Sequence, residues 1–209
     1  MYEPPQFRVQ DPAIAAEVMR THPFASLVTT DDDGLPFITH LPLHLDVEEG
    51  EAGRFTLWGH VAKPNPQWRH LQARPRAVVS FLGPHAYLSP KVYPDLARVP
   101  TWNYIAVHCT VRARLVEDPL AKDRLLKKLI GDHEPPYAEQ WRGLGEEFAH
   151  KMLAGIVGFE LAVESWQCKL KLNQHRPESH AATREAYAGG SENQRALAGW
   201  MARLGLEGN

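Results

Sequence analysis

The chain has 209 residues, 44% hydrophobic and 23% charged, with a formal net charge of −2. That length buries a substantial core in one domain, and the near-neutral charge argues against the broad basic face through which proteins grip DNA. No apolar run reaches the roughly 20 residues that cross a bilayer. The opening Met1-Tyr2-Glu3-Pro4-Pro5 lacks the basic-then-apolar pattern of a leader. Cys109 and Cys168 are too few and too far apart for a disulfide framework or zinc cluster. The expectation is a cytoplasmic protein with reduced thiols.

Asp11-Pro12 is a helix start, and Ile14, Val18 and Met19 give the helix over about 12–21 an apolar stripe. Ala25–Thr30, the turn Asp31–Gly34 and Leu35–Leu45 read as strand, tight turn, strand. In the second strand His40, Pro42 and His44 share one face, and Thr39, Leu41, Leu43 and Leu45 the other. Pro36 and Pro42 mark it as an edge or a bulge. Strands follow at Phe55–His60 and Ala77–Leu82, with a short helix around Pro66–Gln72 between them.

The clearest strand is Asn103–Leu115, where Ile105, Val107, Cys109, Val111, Ala113 and Leu115 alternate with polar residues. Cys109 on that apolar face reads as an inert core thiol. Asp118-Pro119 caps a helix with inward Leu125, Leu126, Leu129 and Ile130, ended by Gly131. A second helical pattern covers about 144–154, and Ile156–Glu164 alternates as a strand. Lys169–His175 reads as a basic, amide-rich turn before two helices. The last opens with Ser191 and Gln194 in capping-box spacing and carries a Leu197, Met201, Leu204 stripe. Six or more closely spaced strands with singly inserted helices, and no glycine-rich phosphate loop, favour an antiparallel barrel over a βαβ sheet.

Two stretches carry chemistry. Val99–Tyr104 offers Trp102, Asn103 and Tyr104: flat faces, an amide and a phenol. Gly59–Trp68 ends a strand in a loop carrying Lys63 and Asn65. Rings stack on planar ligands, and cations with amides hold phosphate, although the same residues also occur in ordinary packed turns. His40 and His44, with His60 and His85, offer a metal or haem site as a minor alternative, since eleven histidines make chance neighbours. The basic group Arg112, Arg114, Lys122, Arg124, Lys127 and Lys128 reads first as solvated positions on a strand end and a helix face.

The chain resembles the PaiB family of FMN-binding split-barrel proteins, described as negative transcriptional regulators. The resemblance runs through Pro23–Thr29, Gly34-Leu35-Pro36, Thr39–Leu43, Gly59–Ala62, Asn65–Trp68, Gly83–Tyr87 and Val99–Tyr104, in the family's order. It departs at Lys63-Pro64, where the family pattern has Arg-Ala, at Val92, where it has Trp, and at Asn173–His175. The resemblance implies a mainly β protein with inserted helices, a split barrel akin to pyridoxamine-phosphate oxidases. It forms a single domain over 1–209, with a core over 1–165 and a C-terminal turn and helices over 166–209. It also implies a homodimer with FMN at the subunit interface and a role as regulator or flavin-dependent sensor. Direct DNA contact is left open, and there is no helix-turn-helix signal. Lys63 and Asn65 would meet the phosphate. Thr39, His40, Leu41, His60 and Val61 would meet the isoalloxazine through backbone groups, Trp102, Asn103 and Tyr104 would close the pocket, and Lys171 and Gln174 would reach across from the partner. A flavin reductase or oxidase, or a haem-binding split barrel, are the alternatives.

Overall fold

A computed structural model of the chain describes residues 1–48, 53–95 and 97–206. Its strands are β1 (Arg8–Val9), β2 (Phe24–Thr30), β3 (Pro36–Pro42), β4 (His44–Val47), β5 (Phe55–Ala62), β6 (Arg76–Leu88), β7 (Thr101–Val116) and β8 (Ile156–Lys171). Its helices are α1 (Pro12–Thr21), α2 (Gln67–Ala73), α3 (Pro119–His133), α4 (Tyr137–Gly143), α5 (Glu146–Ala154), α6 (His180–Ala188) and α7 (Glu192–Arg203). The strands form one antiparallel sheet in the order β3-β2-β6-β7-β8-β5-β4, with β1 added to β8.

The chain divides into two compact units. The barrel unit comprises Pro12–Phe81 and His108–Trp166, and the terminal unit Met1–Asp11, Leu82–Val107 and Gln167–Asn209. In the barrel unit, Leu27, Leu57, Val79, Phe81, Cys109, Val111, Phe159 and Leu161 fill the core, as their alternation dictates. In the terminal unit Ile105, Val107, Leu170 and Leu172 are buried, together with Leu197 and Met201 of α7. The Ser191–Gln194 capping box forms as expected.

Leu35–Leu45 is two strands rather than one. Pro42 has no N–H to continue the ladder, and Leu43 N–H donates to Pro23 O (3.0 Å). The chain therefore turns a corner, with β3 paired to β2 and β4 to β5. β6 continues six residues past Leu82. Its in–out alternation slips by one at Gly83-Pro84, the pattern of a bulge, which in sequence looks like a strand end. Gly131 does not end α3: it sits in open space inside a helix that runs to His133. Pro135 and Pro136 supply the stop that Gly131 does not. α4 was not foreseen, and Lys169–Lys171 belong to the end of β8, not to a turn.

The basic group on the barrel unit is largely neutralised. Arg112 pairs with Glu164 (2.7 Å), Arg114 with Glu160, Lys127 with Asp123 (2.6 Å) and Lys128 with Asp46 (2.7 Å), while Lys122 caps the carbonyls of Leu153 and Ile156. No helix among the described residues is long and apolar enough to cross a membrane.

Candidate functional site

The barrel unit has a seam. Among the described residues, β3 has no strand on its other edge. β4 pairs with β5 only over Phe55–Trp58, so Gly59–Ala62 also have one edge without a strand partner. Such edges present backbone N–H and C=O groups with no ladder partner. The two edges come close: a side chain at Gly59 would strike Leu43 Cδ2 at 2.5 Å, Phe159 at 3.1 Å and Leu41 Cδ1 at 3.3 Å. A side chain there would force the buried Leu43 to shift.

Thr39 points inward at the seam and is held by a buried amide network. Thr39 Oγ1 donates to Gln67 Oε1 (2.7 Å) and accepts from Asn65 Nδ2 (3.1 Å). Asn65 Oδ1 accepts from Gln67 N–H (2.9 Å). Gln67 Nε2 donates to Leu27 O (3.3 Å) and Thr29 Oγ1 (3.0 Å), so this fully buried side chain has all its groups engaged. Asn65 thereby ties the loop after β5 to the edge of β3.

Lys63 stands on that loop. Its N–H donates to Gly155 O (2.9 Å) and its carbonyl accepts from Trp68 Nε1 (3.0 Å). The side chain is exposed, and among the described residues no acceptor meets its ammonium. The backbone is thus fixed while the cation is unspent. Leu41 and Val61 are buried and can reach a ligand only through their backbones.

The two seam histidines do not join this network. His40 hydrogen bonds to Ser26 (3.0 Å) and its ring faces Phe24 on the outer side of β3. His60 lies on the opposite face of β5 from Leu57 and Val61; burial lowers its pKa, and its Nδ1 is buried without a partner. His44 is elsewhere again, between Asp132 (2.7 Å) and Asp46 (2.9 Å), and no grouping suited to a metal ion occurs among the described residues. Burial pushes the Asp46 carboxyl upward, but the bonds from Lys128 and His44 outweigh it and leave its pKa lowered.

In the terminal unit the five expected residues take different roles. Trp102 is 48% exposed and stacks on His85, with ring centroids 5.9 Å apart. Asn103 is fully buried, and neither amide atom has a hydrogen-bond partner. Tyr104 meets the Lys169 ammonium at 5.0 Å, and the Tyr2 and Phe7 rings also face that nearly buried cation. Lys171 Nζ donates to Trp102 O (2.8 Å) and to Thr101 Oγ1, and burial, with Lys169 nearby, lowers its pKa. Gln174 folds back on its own chain, accepting from Leu172 N–H (2.9 Å) and donating to Leu170 O.

Sequence reasoning missed Gln67, Thr29 and Lys169. A signal existed for the first two: Thr29 and Thr39 fall at inward positions of their strands, and inward hydroxyls need a buried partner.

A curled antiparallel sheet left open along one seam, with inserted helices, defines a split-barrel protein of the flavin-binding class. Residues 1–165 match the family described as "Putative FMN-binding domain", and the chain belongs to that family. It is 37% identical over 182 residues to the protease synthase and sporulation protein PAI 2 of Bacillus subtilis (strain 168), covering 86% of this chain and 84% of that protein. Two solved structures share the fold. The conserved hypothetical protein Rv2991 of Mycobacterium tuberculosis matches with a TM-score of 0.59 at 16% identity, over 84% of this chain and 92% of that one. The flavocytochrome Anf3 of Azotobacter vinelandii also gives 0.59, at 17% identity, over 78% and 69%.

Proposed function

We propose that the protein is a homodimer that binds FMN and acts as a flavin-dependent sensor or transcriptional regulator. The observation that carries this reading is the seam: the free edge of β3 is tied through Asn65–Thr39 (3.1 Å) to a rigid loop bearing the unspent ammonium of Lys63. A flavin mononucleotide needs both parts, a cation for its phosphate and backbone donors and acceptors for its pyrimidine edge. The residues fit. Lys63 takes the phosphate, helped by the second N–H of Asn65. Backbone groups of Thr39, His40 and Leu41 on one edge, and of His60 and Val61 on the other, meet the ring. By family resemblance Trp102, Asn103 and Tyr104 would close the pocket, and Lys171 and Gln174 would reach across from the partner subunit. When bound, FMN supplies one- or two-electron redox chemistry.

Dimerisation is supported by the outer face of β3, β2 and β6, where the register sets Ile38 beside Val28 and Val28 beside Val78. Phe24 is 68% and Ile38 53% exposed there, an apolar patch of the kind that marks an interface. The regulatory arm is supported by the name of the Bacillus subtilis relative, which links it to protease synthesis and sporulation. With the basic group already paired, regulation passes through a partner or metabolite rather than through a DNA-binding face.

The test is titration of FMN into the purified protein, followed by flavin fluorescence. Saturable quenching, weakened about tenfold by Lys63→Ala, is expected for a lost phosphate contact of about 1.4 kcal/mol. Colourless protein with no saturable quenching overturns the reading. NADPH turnover far above that of free FMN would make the protein a flavin reductase instead.

A further inference from the structure

Two helices of the barrel unit end at one cavity. Arg20 and Thr21, the last residues of α1, and Asp132 and His133, the last of α3, line a space of about 680 Å³ against β4. That volume falls within the roughly 300–1,000 Å³ of small-molecule sites. Every lining residue belongs to the barrel unit, and none is among those assigned to FMN above.

The charges around the cavity are unevenly spent. Both oxygens of Asp46 accept from Lys128 Nζ (2.8 and 2.7 Å), and Asp46 Oδ1 also meets His44 Nε2 (2.9 Å). The other ring nitrogen, His44 Nδ1, lies 2.7 Å from Asp132 Oδ2. Among the described residues no donor meets Asp132 Oδ1, and no acceptor meets the Arg20 guanidinium. The cavity therefore offers one free cation and one free carboxylate oxygen.

The helix ends give those two groups different needs. A helix carries partial negative charge at its C-terminal end, which suits Arg20 on α1 and disfavours Asp132 on α3. A further cation beside Asp132 relieves that repulsion and meets the last-turn carbonyls that a helix leaves unpaired. A planar carboxylate, in turn, matches the two-pronged fork of Arg20. Pro23 and Val47 add an apolar wall, with Val47 36% exposed.

We propose that this cavity binds a free aliphatic α-amino acid, with its carboxylate on Arg20, its ammonium on Asp132 and its side chain against Pro23 and Val47. A phosphate monoester suits the site less, because its second negative charge would face the Asp132 carboxylate. The proposal stands independently of the FMN reading and adds a second small-molecule site to the chain.

The experiment is isothermal titration of the full chain with millimolar L-leucine, beside isoamylamine, which is leucine without its carboxylate, and isocaproate, which is leucine without its ammonium. Saturable binding of L-leucine is expected, with each analogue weaker by about tenfold for its missing charge. Arg20→Gln should weaken L-leucine about tenfold and leave isoamylamine unchanged. Asp132→Asn, which keeps an acceptor for His44, should weaken L-leucine similarly and leave isocaproate unchanged. No saturable binding of L-leucine by the wild type overturns the proposal. So does L-leucine binding at full strength in Arg20→Gln, or either analogue binding as tightly as L-leucine. Should thermal melts show Asp132→Asn unfolding early, Arg20→Gln decides alone, because that side chain is exposed.

Discussion

Gln67 in the barrel unit and Asn103 in the terminal unit are both fully buried carboxamides, and they could hardly be treated more differently. Gln67 bonds to Thr39, Thr29, Leu27 O and, through its own N–H, Asn65. Asn103 has neither amide atom paired in good geometry; the neighbouring Tyr187 hydroxyl donates instead to Tyr87 O. A fully engaged amide is a bracket, and an unengaged one weakens the fold around it. The contrast also guides the search for ligand contacts. Among the described residues Lys63 Nζ has capacity to spare on a fixed backbone near water, whereas the amide-rich interior of the seam has little left to offer.

The sharpest way to break this comparison is to empty the bracket. Gln67→Met keeps the volume but takes one partner each from Thr39, which retains Asn65, from Thr29, which retains His70, and from the carbonyl of Leu27, and should cost about 2 kcal/mol in urea unfolding. A loss under about 1 kcal/mol would mean the network contributes little. A smaller effect tests the terminal unit away from its orphaned amide. Ser191→Ala removes one half of the α7 capping box and should cost about 1 kcal/mol, read from the same unfolding curves. Asn103→Leu, by contrast, removes a buried amide without a well-placed partner, and should raise stability by up to about 1 kcal/mol. A large destabilisation would show that Asn103 is paired in solution through water.

Much of the barrel was legible because burial imposes a period of two. Asn103–Leu115 and Ile156–Glu164 both lie within observed strands, and Asp118 caps α3 through Ala121 N–H (2.7 Å) as its sequence position implies. The prolines at 36 and 42 correctly marked an edge strand. What failed was local punctuation overridden by tertiary context: Gly83-Pro84 reads as a break but is absorbed as a bulge, and Gly131 reads as a stop but sits in open space. The site was legible as blocks of residues and not as contacts. Periodicity placed His40 on the face away from Thr39 and Leu41, yet nothing local shows that Asn65 reaches Thr39 across 26 residues of chain. Lys169 was hidden because its three aromatic neighbours come from the amino terminus and β7, far away in sequence.

The mildest test uses pH and sets one histidine of each unit against the other. Burial is the leading cause that lowers the pKa of both His60 and His175, with Arg176 and Lys171 adding to it at His175. For such a group the unfolded chain binds the proton more readily, so between the unfolded value of 6.5 and the lower folded value the unfolded state carries more protons. Stability therefore rises with pH in that window. It is complete above 6.5 and falls on acidification, levelling once the folded ring is also protonated. Unfolding curves from pH 7 downward should show this decline in the wild type. His60→Gln should flatten it more than His175→Gln, since His60 is the more deeply buried and has no countercharge to soften its desolvation, whereas Glu178 partly offsets the shift at His175. Equal flattening by the two variants would mean that His60 reaches solvent in the native state, and with it that the partnerless Nδ1 at the seam is open to water.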